Sequence, residues 1–107
     1  MVVVIKTPEV DRRAAAEFES ELDEALTGYR RGDGEGDALV LDLRQVAFMD
    51  STALRCLIDT ERAVAADGGR LEVLAEGIPR RLLEVTGLLD RFEPLPDVID
   101  LREEAAS

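Results

Sequence analysis

No histidine occurs anywhere in the 107 residues, tryptophan is also absent, and cysteine occurs once. Each absence excludes a chemistry. Histidine is the commonest general base and the commonest metal ligand, so a Ser-His-Asp triad cannot be assembled within this chain. One cysteine can neither complete a zinc cluster nor close an intrachain disulfide, which leaves Cys56 unpaired and makes a reducing compartment the expected one. Long apolar runs are missing too. Nothing approaches the roughly 20 residues of a membrane span, and "MVVVIKTPEV" has too short an apolar core for a signal peptide. A cytoplasmic protein with no membrane insertion is the expectation. Basic residues are scarce, 13 Lys and Arg against 24 Asp and Glu, for a net charge of −11. That surface repels phosphate backbones and anionic membranes, so the expected partners are proteins and not nucleic acid. The length suits one domain, residues 1–107, with one core.

What is present alternates between two periods, the pattern of an α/β sandwich. "VVVIK" is a β-branched run ended by Pro8 and reads as a short strand. From Asp11 to Tyr29, Ala14, Phe18, Leu22, Ala25 and Leu26 share one face with acids opposite, which predicts an amphipathic helix stopped near Gly28. The glycines and acids of "RRGDGEGD" predict a surface loop, since their order matches neither a calcium loop nor a phosphate-cradling motif. "ALVLDLRQV" is nearly continuous in apolar residues, as a strand covered on both faces requires, so it is expected at the centre of the sheet. Ala53, Leu54, Leu57, Ile58, Val64 and Ala65 then recur at helical spacing until "DGG". "RLEVLAE" reads as a strand and "IPRRLLEVTGLLDRF" as a short helix, with Pro79 in its first turn and Gly87 near its end. "PLPDVIDLREEAAS" reads as a last strand fragment and a terminal helix.

The polar step Asp50-Ser51-Thr52 falls between the central strand and the following helix. Asp and Ser both favour helix N-caps, where a side-chain oxygen accepts from an unpaired backbone N–H, so capping alone accounts for the dipeptide. The same helix end offers free donors and a positive dipole, which would tolerate a phosphoryl group on Ser51. Nucleophilic catalysis by Ser51 is set aside, because Asp50 is adjacent in sequence and occupied as a cap. The acids from Glu17 to Glu24 read as a solvated helix face, Cys56 as a small packed side chain, and Phe18, Phe48 and Phe92 as core. Met49 is either core or a contact beside the polar step. No catalytic residue, metal ligand or cofactor-binding motif is expected.

Three stretches carry a family resemblance. "ALVLDLRQVAFMDSTALRCL" resembles the central signature of STAS domains, above all the bacterial anti-sigma factor antagonists, in which a strand bearing LDL leads into Asp-Ser-Ser/Thr-Gly-Leu. "PEVD", Pro8 to Asp11, resembles the Gly-Glu-Leu-Asp before that family's first helix, and "RRLLEVTGLLDRF" resembles its Arg-x-Leu-x-x-x-Gly-Leu segment. The resemblance implies a STAS-like sandwich, with a mixed central sheet of about four strands flanked by helices. It also implies that Ser51, with Thr52 as the alternative, is phosphorylated by an anti-sigma factor with serine kinase activity, and that a phosphatase reverses this. Glu9, Asp11, Met49, Asp50, Ser51, Thr52 and Ala53 are then the expected partner-binding residues. The chain departs from the pattern in three places. Ala53 and Pro8 stand where the family has glycines, and the family's usual first strand is missing before "VVVIK". Either that edge strand is absent or something else covers the edge, and an uncovered edge invites pairing with a second copy of the chain. An alternative implied by the same family is a constitutive subunit of a stressosome-like or transport complex, in which Ser51 serves as a cap.

Overall fold

A computed structural model describes residues 1–32 and 38–92. The order of elements is β1 (Val2–Val4), β2 (Glu9–Val10), α1 (Ala15–Arg31), β3 (Ala38–Asp42), β4 (Phe48–Met49), α2 (Ser51–Ala66), β5 (Arg70–Leu74) and α3 (Gly77–Val85). The α/β class is as expected. Of the loop read over 30–37 only the first residues are described, and the strand and helix read in "PLPDVIDLREEAAS" lie outside the described residues. No described helix is long and apolar enough to cross a membrane.

The apolar run of β3 sits where its composition requires, between β1 and β5, in a sheet whose order is β1-β3-β5. Both pairings are parallel, and the register aligns Val3 with Leu41 and Leu41 with Val73. Side chains alternate across a strand, so Leu39 and Leu41 fall on one face with Leu71 and Val73. All four are at most 2% exposed and join one core with Phe18 and Leu22 of α1 and Leu57 and Val64 of α2. Val40 and Asp42 point to the other face and are also buried. The central strand is therefore covered on both faces, the condition that a continuous apolar run anticipates.

The described sheets are parallel and the main one has three described strands, which is compatible with the expected sandwich. Several other expectations are corrected. A second, two-stranded parallel sheet pairs β2 with β4. Neither of its strands was anticipated, because two residues cannot establish a period. Helix α1 runs from Ala15 to Arg31 instead of Asp11 to Tyr29, since Asp11 holds a turn ahead of it and Gly28 does not end it. Gly28 lies inside the helix, with the tip of the Met1 side chain over it; a Cβ there would lie 2.6 Å from Met1 Cε. Phe48 is 41% exposed instead of core. Ala65 is exposed as well, one position round the helix from the buried Val64. Helix α3 matches the reading, with Pro79 in its first turn and Gly87, at φ 74°, just past its end in the left-handed conformation that favours glycine.

Tertiary ties fasten the elements that carry the site. Glu21 of α1 accepts from the backbone N–H of Lys6 at 3.0 Å and from the Thr7 hydroxyl at 3.2 Å, so the helix clamps the chain leaving β1. Arg30 reaches from the end of α1 to Asp67 past the end of α2, at 2.7 Å. At the carboxyl end of β3, Asp42 accepts from Arg44 Nε and Nη2, both at 2.9 Å, and from the Arg44 backbone N–H at 3.0 Å. These bonds from Arg44 outweigh the cost of burial and hold the Asp42 carboxyl below its ordinary value of 3.8.

A folded-state pKa that is depressed stabilises the fold above the unfolded value, and this stability is lost as pH falls through the folded one. Asp42→Asn should therefore lower the melting temperature at about pH 7. The gap to the wild type should close as the pH is brought down through and below about 3.8, where the native carboxyl also protonates. Thermal denaturation across that range reads the effect, and a gap independent of pH would count against the pair as its source.

Candidate functional site

The polar step is set by the pairing of β2 with β4. Glu9 lies opposite Phe48 and Val10 opposite Met49. The ladder is continued on both sides, since the Ala47 N–H donates to Pro8 O at 2.7 Å and the Asp50 N–H donates to Val10 O at 3.1 Å. Parallel alignment brings Asp11 and Asp50 to the same end of this small sheet, each where its strand turns towards a helix. Because α1 and α2 pack on each other, their N-termini open side by side.

The two carboxylates each accept from backbone N–H groups at the entry to a helix. Asp50 is extended, at φ −119° and ψ −167°, and its Oδ1 accepts from the Thr52 N–H at 2.9 Å, the arrangement of a helix N-cap. Asp11 Oδ1 accepts from the backbone N–H groups of Arg13 at 2.9 Å and Ala14 at 3.1 Å, closing the turn that leads into α1. The expectation that an acid caps α2 holds, and the capping residue is Asp50 and not Ser51. Ser51 is the first residue of α2 and is exposed, and its side chain makes no hydrogen bond among the described residues. Thr52 is half-buried.

The expected partner-binding residues divide into two groups. Glu9 and Ser51 are exposed and Asp11, Asp50 and Thr52 half-buried, so these five surround one surface. Met49 is 2% exposed and Ala53 fully buried, so both turn into the core. The alanine that departs from the family's glycine therefore adds its methyl to the packing beneath the site, and the outer backbone is as accessible as before. Phe48 is an addition. It points outward from β4 directly opposite Glu9, and nothing in the sequence separates it from Phe18 and Phe92, which are fully buried.

A concavity of about 220 Å³ lies between α1 and α2 and is lined by Glu19, Leu22, Asp23, Cys56, Asp59 and Thr60. The Cys56 thiol, 6% exposed, donates to Glu19 Oε1 at 3.5 Å. Burial, reinforced by the hydrogen bond and charge of Glu19, pushes it up to about 11, so it stays a protonated thiol at neutral pH and is a poor nucleophile. No group of acids and cysteine suited to hold a metal ion is found among the described residues.

Residues 3–97 match the family model described as "Mlab, STAS domain". The match spans most of the chain and includes β2, β4, the polar step and all three helices, so the chain belongs to the STAS domain family.

Because Asp50 holds the Thr52 N–H, replacing each residue separately should tell cap from bystander. Asp50→Ala should cost about 1 kcal/mol, which lowers the melting temperature of a domain this size by about 4–8 °C. Ser51→Ala should leave it within about 0.5 kcal/mol of wild type. Denaturant unfolding of both variants measures the difference, and equal losses would mean that the two side chains share the cap.

Proposed function

We propose that this STAS domain is an anti-sigma factor antagonist that works by phosphorylation-controlled partner switching and not by catalysis. Unphosphorylated, it binds an anti-sigma factor with serine kinase activity and so releases a sigma factor. Phosphorylation of Ser51, or of Thr52 as the alternative acceptor, ends that binding, and a phosphatase restores it. The observation that carries this reading is the division of labour at the start of α2. Asp50 is the cap, which leaves the exposed Ser51 hydroxyl free of any structural task.

The physical consequences of a phosphate there agree with a switch. It would sit at a helix N-terminus, where backbone dipoles favour negative charge, so the fold has no reason to yield. It would also add nearly two negative charges beside the carboxylates of Asp11 and Asp50. A partner closing over Glu9, Phe48 and Ser51 would have to desolvate that charge. A loss of about 2.8 kcal/mol is enough to weaken a complex about a hundredfold.

A second reading rests on the family match itself, whose description names no antagonist. In it the domain is a constitutive subunit of a stressosome-like or transport complex, and Ser51 is never modified. Two variants separate the readings. Ser51→Ala should retain binding to the cognate anti-sigma factor. Ser51→Asp should fold like the wild type and bind at least about tenfold more weakly, or about 1.4 kcal/mol. Calorimetric titration of both, together with intact mass after incubation with the kinase and ATP, decides the matter. One added phosphate at Ser51 and unequal affinities support the switch; an unmodified chain and equal affinities overturn it in favour of the constitutive subunit.

A further inference from the structure

The outer edge of β1 ends the described sheet, and no described strand pairs with it. Met1 O accepts from the Val40 N–H at 2.8 Å, and the Ile5 N–H donates to Asp42 O at 3.0 Å. Odd-numbered residues of this strand therefore turn their backbone groups towards β3, and Val2 and Val4 turn theirs away. The next outward amide, that of Lys6, is already held by Glu21. The free edge is thus confined to Val2 and Val4, whose side chains are 61% and 39% exposed on the sheet face opposite α1 and α2. Natural edge strands carry charge, proline or a bulge at such positions, and this one carries only valine.

We propose that this edge is a self-association surface on which two copies of the chain pair β1 with β1, antiparallel, about a two-fold axis at Val3. The choice of a second copy follows from the register. With the axis at Val3, Val2 stands opposite the partner's Val4, and Val4 opposite the partner's Val2. Each opposed pair exchanges both of its backbone hydrogen bonds, so every outward N–H and C=O of the two valines is satisfied. Sliding the axis to Val4 would set Val2 against the partner's Lys6, whose amide is not available. The edge is therefore complementary to itself in one register, as an isologous two-fold contact requires. The valines of both copies would also come together as one apolar cluster, on a sheet that continues from β5 of one copy to β5 of the other. Each copy carries a net charge of −11, so the contact forms against long-range repulsion and tightens as salt screens it. The inference is independent of whether Ser51 is phosphorylated.

Sedimentation velocity and amide hydrogen exchange over rising protein concentration, at low and moderate salt, test it. Wild type should shift towards twice the monomer mass, more so with salt. Protection of the Val4 amide should rise in step, while that of Val3, already bonded to β3, stays constant. Val4→Pro removes an amide that bonds no described residue, so it should leave the fold intact and weaken association by at least about tenfold. Val4→Thr keeps the amide and should associate like wild type. A monomer at every concentration overturns the proposal, as does a dimer that Val4→Pro leaves unweakened. If Val4→Pro proves unfolded by circular dichroism, exchange at Val4 in the wild type decides, and protection that does not vary with concentration overturns it.

Discussion

Burial of β3 on both edges and both faces is the constraint on which the rest of this structure depends. A strand with hydrogen-bonded neighbours on each side and no solvated face has to be apolar along its length, and Leu39, Val40 and Leu41 meet that demand. Parallel pairing with β1 and β5 then obliges the chain to cross over between strands, and α1 and α2 are carried in those crossovers. Their apolar stripes close the inner face. The single buried carboxylate of β3, Asp42, is tolerated because Arg44 supplies three donors two residues later.

The small β2–β4 ladder has a different task. It sends Val10 and Met49 into the core, and it decides where two helices begin relative to each other. One hydrogen bond, from the Asp50 amide to the Val10 carbonyl, fixes the end of that ladder and so sets the Asp11 turn beside the cap of α2. Capping by Asp50 leaves the neighbouring Ser51 hydroxyl without a hydrogen bond among the described residues. A regulatory serine that also capped its helix would change the stability of the fold whenever it was modified. With the cap assigned to Asp50, charge can arrive at or leave the surface while the helix stays intact.

The surface follows the same separation between what holds the fold and what faces outward. Among the described residues most of the acids lie on exposed positions, such as Glu17, Asp23 and Glu24 of α1. Glu21, from the same run, faces the chain leaving β1 and caps it instead. Acids of identical appearance in the sequence thus have unlike roles, separated by a turn of helix.

Much of this was legible in the sequence. The placement of β3, the apolar faces of α1 and α2, the short α3 between Pro79 and Gly87, the acidic cap before Ser51 and the STAS resemblance of the three stretches all rest on local signals: period, turn chemistry and motif order. Tertiary structure decided what those signals cannot carry. Two-residue strands have no period, so β2 and β4 emerge only when they pair. Phe48 and Phe92 are the same residue with opposite fates, because exposure depends on what packs above a position. Met49 and Ala53 flank the polar step yet turn inward, since the extended residue Asp50 separates the strand from the helix and sets the direction of each side chain. Gly28 lies within α1 instead of at its end. In each case local preference is a matter of a few neighbouring residues, whereas burial is decided by segments distant in sequence, and only the folded chain brings those together.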